Sequence, residues 1–518
     1  MRISKVKIKN FRSYKDEIEI EFGNLTALVG KNDFGKSTIL EALDIFLNEN
    51  SGVVKLDKDD INKQALAENE NANIRITIVF DDLPSEIIID STNPTTLSDE
   101  YLLNNDGKLE IIKEYKFGSK ATESVFIKAY HPTNERCNNL LITKITSLKK
   151  ILEDEEIKCE DKTKSATIRK AVWEHFKDDL QCEEVEIDAS KEEAKNIWEQ
   201  LKKYMPSYSL FQSDRKNSDG DNEIQNPMKL AVSEIFKDEE IQKTLDKVAE
   251  KVRESLQEVT KNTIDKLKEM NPEIADSLNP NIPETSSLKW VDVFKNVSIT
   301  GDEDIPINKR GSGVKRLILL NFFRAEAERK RNMAKAPNII YAIEEPETSQ
   351  HFNYQYMLIN ALLELSKTDK TQVILTTHSP SIVKMLDFDN IRLLKDNGSF
   401  KEVVKIEKQS MPIPSLYEII FLAFGEAYEE YHNELYGYIE AEKKFDEYKK
   451  DRDIREYIRV TKKGETKSED IILTEYIRHQ IHHPENKHND RFTKEELKQS
   501  IKDMRDFIET NIKQSQDN

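Results

Sequence analysis

The sequence predicts an α/β fold in which a strand-rich head is interrupted by a helical insertion and followed by a helical tail. Three observations predict it. An apolar run, Leu25-Thr26-Ala27-Leu28-Val29, leads through Gly30-Lys31-Asn32-Asp33-Phe34-Gly35-Lys36-Ser37-Thr38 into a helix-like run over 39–46, so strand, loop and helix follow one another. Period-two alternation marks half-buried strands over 5–9, 17–22 and 73–80. The charged, glycine-poor stretch over 140–270 instead carries Ile241, Leu245, Val248, Val252, Leu256, Val259 and Leu267 at three- and four-residue steps, the narrow stripe of a helical bundle or short coiled coil.

The remaining elements follow in order. Strands are predicted over 109–112 and 124–127, with less regular helical stripes around Ile168, Val172 and Phe176 and around Ala194, Ile197 and Leu201. Tyr208-Ser209-Leu210-Phe211 is apolar, and 217–226 reads as an exposed loop. Gly311-Ser312-Gly313-Val314-Lys315-Arg316-Leu317 precedes an apolar helix over 318–323. Short apolar strands over 338–343 and 372–377 end in Glu344-Glu345-Pro346-Glu347 and in His378-Ser379-Pro380. Strands over 391–394 and 403–406 close the sheet, and the polar remainder from about residue 411 reads as helical.

The 30–38 stretch fits G-x-x-x-x-G-K-[ST], whose backbone N–H groups at a helix start point at the phosphates of a nucleotide. A triphosphate site also needs one carboxylate near Mg²⁺ and another to orient or deprotonate water. Glu344 and Glu345 leave a strand on different sides and can divide those tasks. Alone, a strand ending in Glu-Glu is a solvated terminus; downstream of a phosphate loop it reads as a site.

The net charge of −18 argues against a surface coated for nucleic acid, though not against a local patch such as Lys202, Lys203, Arg215 and Lys216. Cys137, Cys159 and Cys182 have no pairing or metal spacing, as reduced cytosolic thiols would. The opening residues carry no signal-peptide core and no stretch approaches a membrane span, so a cytoplasmic protein without membrane contact is expected.

In this order, the elements resemble the P-loop ATPase heads of the ABC and SMC/Rad50 class. The resemblance rests on the phosphate loop, Asn10-Phe11-Arg12-Ser13-Tyr14 near the start, Ser312-Gly313 as signature loop, Glu344-Glu345-Pro346-Glu347 as Walker B end and Thr377-His378-Ser379-Pro380 as histidine switch. It implies an ABC/SMC-type head in two lobes, 1–139 and 291–410, around a helical arm over 140–290, with a helical C-terminal domain over 411–518. It also implies ATP and Mg²⁺. Gly30, Asn32, Asp33, Gly35, Lys36, Ser37 and Thr38 would hold the nucleotide together with Arg12. Ser37 and Glu344 would serve Mg²⁺, Glu345 would be the general base and His378 would sense the γ phosphate. Ser312 and Gly313 would reach the nucleotide from the opposite subunit, which implies a head-to-tail dimer or a higher homo-oligomer. The class usually has Asp where this chain has Glu344, a methylene longer.

The Glu-Glu-Pro-Glu strand end resembles the OLD-like ATPases of bacterial defence. Members with their own nuclease carry a Toprim domain after the histidine, and its paired strand-end acids have no counterpart here. The tail segments 432–438 and 477–486 resemble the Septu-type anti-phage ATPases, which implies DNA and a separate HNH nuclease as partners. Arg478 and His483 also fit R-x-x-x-x-H of HEPN-type ribonucleases, so a self-contained effector with a ribonuclease tail stays open, as does a repair clamp without effector function. His479, His482 and His483 read in addition as a metal cluster, or as cations in the last turn of a helix stopped by Pro484.

Overall fold

The structure is a computed structural model and describes residues 1–49, 52–89, 94–117, 121–190, 192–212, 238–270, 338–348, 352–396, 401–405, 415–460 and 465–513. The chain divides into two compact units, Met1–Ser213 with Lys330–Thr348 and Gln355–Asn518, and Asp214–Arg329 with Ser349–Tyr354.

The first unit holds two six-stranded sheets. One is antiparallel and ordered β2-β1-β4-β7-β8-β9. Its strands are β1 (Arg2–Lys9), β2 (Ile18–Glu21), β4 (Ile74–Asp81), β7 (Leu109–Phe117), β8 (Ala121–Pro132) and β9 (Cys182–Asp188). Alternate residues of β1 and β2 are buried, so the period-two pattern reports one face on the core and one in water. A short pair, β5 (Ile87–Ile88) and β6 (Pro94–Thr95), lies apart from it.

The other sheet runs β10-β11-β12-β3-β13-β14 and is parallel except for β14. It comprises β3 (Leu25–Val29), β10 (Ser207–Phe211), β11 (Ile339–Glu344), β12 (Thr371–Thr377), β13 (Ile391–Asp396) and β14 (Lys401–Lys405). Every residue of β3 and β12 is buried, which is why neither strand alternates between apolar and charged residues. Helix α1 (Lys36–Asn48) shares one core with both sheets: Ile39, Leu40, Leu43 and Phe46 join Val6, Ile8 and Ile78 of the first and Leu28, Ile340 and Ile374 of the second. Tyr208 on β10 donates its hydroxyl to the Leu40 carbonyl at 2.7 Å, pinning the edge strand to the helix.

Further helices of this unit are α2 (Lys63–Glu68), α3 (Ile145–Asp154), α4 (Ser165–His175) and α5 (Glu192–Leu201). Two strands, β9 and β10, lie within the helical arm expected from residue 140 and place its first part in the two sheets of this unit. In β9 the alternation is carried by glutamates at a sheet edge, not by apolar residues, so no hydrophobic period reveals it. In β10 five residues suffice because β11 supplies a ready edge.

The second unit is described mainly by α6 (Glu239–Met270), a single helix of 32 residues where the apolar stripe predicts one. At 1.5 Å per residue it is about 48 Å long. The remainder of the expected arm to residue 290, the helix expected over 318–323, and Ser312 and Gly313 lie outside the described residues.

After β11 come α7 (Phe352–Ser366) and, beyond β12, α8 (Pro380–Val383). The tail contains α9 (Leu416–Phe424), α10 (Glu429–Ala441), α11 (Phe445–Tyr448), α12 (Leu473–His482) and α13 (Lys494–Ile508). Its own core includes Tyr431, Leu435, Ile439, Ile477, Ile501 and Met504. The tail is not all helical: β15 (Ile454–Val460) and β16 (Thr466–Ile472) form an antiparallel ribbon. Arg and Glu interrupt the apolar period of Ile454-Arg455-Glu456-Tyr457-Ile458-Arg459-Val460, and this hides the strand in the sequence. The tail touches the head at Lys384, directly after α8, whose ammonium stands 4.5 Å from the Tyr417 ring and 4.8 Å from that of Tyr428. No described helix is long and apolar enough to cross a membrane.

Candidate nucleotide site

Parallel strands end on the same side of a sheet, and here three of them deliver the site. The pairing sets Thr377 of β12 beside Val29 of β3, and Thr376 beside Glu344 of β11. The phosphate loop leaves β3, the two glutamates leave β11 and His378 leaves β12, all at the carboxyl ends, where ligands of open parallel sheets bind.

The loop is packed from below by the segment near the chain start. Tyr14 is buried and donates its hydroxyl to the Gly35 carbonyl at 3.1 Å. Gly35 has φ +93°, and a Cβ there would stand 2.7 Å from the Tyr14 hydroxyl and 2.8 Å from Ser13 Oγ. Both the backbone region and the close approach demand glycine. Left-handed strain of about 1–3 kcal/mol should make Gly35→Ala lose nucleotide affinity by about tenfold or more. A nucleotide titration checks this, and parental affinity would mean that the loop adapts.

Lys36 is buried at the start of α1 and donates to the Gly30 carbonyl at 3.0 Å and the Lys31 carbonyl at 2.9 Å. Burial lowers its pKa, and the charges of Glu345, Glu347, Asp33 and Glu344 oppose that shift. Ser37 Oγ donates to Glu344 Oε1. Lys401 on β14 donates to the Asp33 carbonyl at 2.8 Å, tethering the loop to the sheet edge. Asp33 itself has φ +67°. Asn32 is exposed on the loop and Thr38 lies in the first turn of α1.

Glu345 adopts φ +40°, a left-handed conformation that a glutamate enters only under constraint. The constraint is visible: its main-chain N–H bonds both the Thr376 carbonyl and Thr376 Oγ1, each at 3.1 Å. Its Oε1 lies 2.9 Å from His378 Nδ1. Glu344, Glu345, His378, Ser37 and Lys36 therefore occupy one end of the sheet.

Arg12 has φ +48° and is engaged elsewhere: its guanidinium pairs with Glu41 on α1 and with Asp60 at 2.7 Å. The motif of the tail lies apart from the phosphate loop in its contacts. Arg478 stacks over Tyr436 at 4.0 Å and bonds Asn433 at 3.4 Å. His483 caps the end of α12, exposed, with Nδ1 3.2 Å from Glu485. His479 stacks on Tyr457 instead of joining a metal cluster, and among the described residues no three His, Cys, Asp or Glu side chains gather as metal ligands. The metal reading of the three histidines is thus replaced by that of helix-end residues.

Two residues of the site fall within the quoted motifs, but the sequence assigns them no role. One is Tyr14, whose contact with Gly35 no motif announces. The other is Glu347, the last acid of the Glu-Glu-Pro-Glu strand end, buried beside Thr377.

Among solved structures, the SMC head domain from Thermotoga maritima is similar at 12% identity, covering 79% of this chain and 100% of that chain with a TM-score of 0.32. No curated protein matches the chain. The AAA ATPase domain family matches residues 1–383, nearly three quarters of the 518. The chain belongs to that family of AAA ATPases.

Proposed function

We propose that the chain binds and hydrolyses ATP as an ABC/SMC-type switch. The observation that supports this is the convergence at one sheet end of Lys36 and Ser37 from the phosphate loop, Glu344 and Glu345 from β11, and His378 from β12. Gly30, Asn32, Asp33, Gly35, Lys36 and Thr38 bind the phosphates through loop amides and the lysine charge. Arg12 assists only after leaving Glu41 and Asp60. Glu345 accepts the proton of the attacking water, and His378 beside it orients that carboxylate and meets the γ phosphate.

The donor set suits Mg²⁺: Ser37 Oγ and Glu344 Oε1 already touch, one neutral and one anionic hard oxygen at the loop's end. A bound Mg²⁺ would supply neutralisation of phosphate charge there.

The active form is a head-to-tail dimer or a higher oligomer in which Ser312 and Gly313 complete the partner's site, with α6 as part of its arm. Ser312→Arg should leave nucleotide binding intact and suppress turnover. Mixed with Lys36→Ala protein, it should regain partial ATPase activity, because mixed dimers restore one intact composite site. No recovery despite proven mixed dimers would overturn the arrangement.

At a finer level, the chain acts in the cytoplasm as the ATPase of an anti-phage system, engaging DNA and governing a separate HNH nuclease. The support is the Glu344-Glu345-Pro346-Glu347 strand end and the tail segments 432–438 and 477–486. Purified protein with Mg²⁺ or Mn²⁺, with or without ATP, should leave plasmid DNA intact, and cutting should begin once an HNH partner is added. Plasmid linearised by the lone chain would overturn this.

A further inference from the structure

We propose that Glu347 is a positioning residue of the hydrolytic site, the buried carboxylate that fixes His378 against Glu345. This rests on the ATPase reading above. The Glu347 side chain is 6% exposed, against 22% for Glu345 and 41% for His378. Its Oε1 accepts the Thr377 hydroxyl at 2.7 Å and the His378 main-chain N–H at 3.1 Å, and stands 3.6 Å from His378 Nδ1. Ser379 N–H donates in turn to Thr377 Oγ1 at 3.0 Å. One buried oxygen thereby ties the turn after β11 to the residues that end β12, and the imidazole is held where its Nδ1 lies 2.9 Å from Glu345.

A purely structural link needs only an acceptor, which a neutral amide supplies at a smaller desolvation cost than a carboxylate. Here Oε2 is buried and meets no donor among the described residues. Glu347 is also one of the four acids that act on Lys36. Through Thr377 and His378, Glu347 reaches the side chain that stands against the strained Glu345.

The test is a double-mutant cycle on ATP hydrolysis. Glu347→Ala should lower kcat on the order of a hundredfold, the scale of a misplaced catalytic group, with KM changed less than about threefold. Glu347→Gln keeps an acceptor but no charge and should lower kcat less, by about tenfold on that same scale. In a His378→Ala background either change should have almost no further effect, because Glu347 acts through the histidine; a merely structural defect would add. Thr377→Val, which removes only the hydroxyl that anchors Oε1, repeats the test if the alanine variant does not fold, and should be equally non-additive. Parental kcat in Glu347→Ala, or full additivity with His378→Ala, would overturn the inference while leaving the ATPase reading in place. Absence of ATP turnover in the parental protein would overturn the ATPase reading and this inference with it.

Discussion

Lys36→Ala is expected to abolish nucleotide binding. The ammonium is buried at the start of α1, held on two loop carbonyls at 3.0 and 2.9 Å. Burial alone works against its charge, and four surrounding acids, Glu345, Glu347, Asp33 and Glu344, work for it. Removing it leaves those carboxylates facing a triphosphate without a counter-charge. Each charged hydrogen bond is worth about 1.5–3 kcal/mol, so the loss of two to the phosphates means at least about a hundredfold in affinity. Calorimetric titration with ATP measures it, with thermal melting as the control for folding. Affinity within a few-fold of the parent would remove the loop from the binding site.

Glu345→Gln is expected to do the opposite: ATP still binds, and hydrolysis stops. The amide fits the same space and the same φ of +40°, but cannot accept the proton of water. General base catalysis contributes about 10²–10⁴-fold, and kcat should fall by that much while the dissociation constant stays within a few-fold. A single-turnover assay beside equilibrium binding separates the two. Parental kcat would reassign the base.

The elements that carry the site were legible because each leaves a mark of its own: short strands with apolar centres in β3, β11 and β12, and a glycine-lysine loop between strand and helix. Strands that escaped, among them β9, β10, β15 and β16, are edges or ribbons. There hydrogen bonding to a neighbour defines the strand, and charged residues blur the period. The chemistry of Glu344, Glu345 and His378 was legible as residue types. Their convergence with Lys36 and Ser37 was legible only through the family resemblance, because parallel order and register bring Ser37 and Glu344, 307 positions apart, into contact without any local signal. Tyr14 and Glu347 stayed hidden for a related reason. A buried group is recognised by what surrounds it, and neither the Gly35 carbonyl nor the Thr377 hydroxyl is near in sequence.

Lys384 stands six residues after His378, on the far side of a single turn of helix, between two tyrosines of the tail. A four-residue helix is too short to absorb a rotation at one end without passing it to the other. If ATP binding displaces His378, the seat of Lys384 between Tyr417 and Tyr428 differs in free energy between the two nucleotide states. Linkage is then reciprocal: any molecule that binds the tail and favours one seat changes the affinity for ATP by the same factor that ATP changes the affinity for it. The tail would then serve as an input to the ATP site as much as an output from it, and the two directions would be measurable in one thermodynamic square.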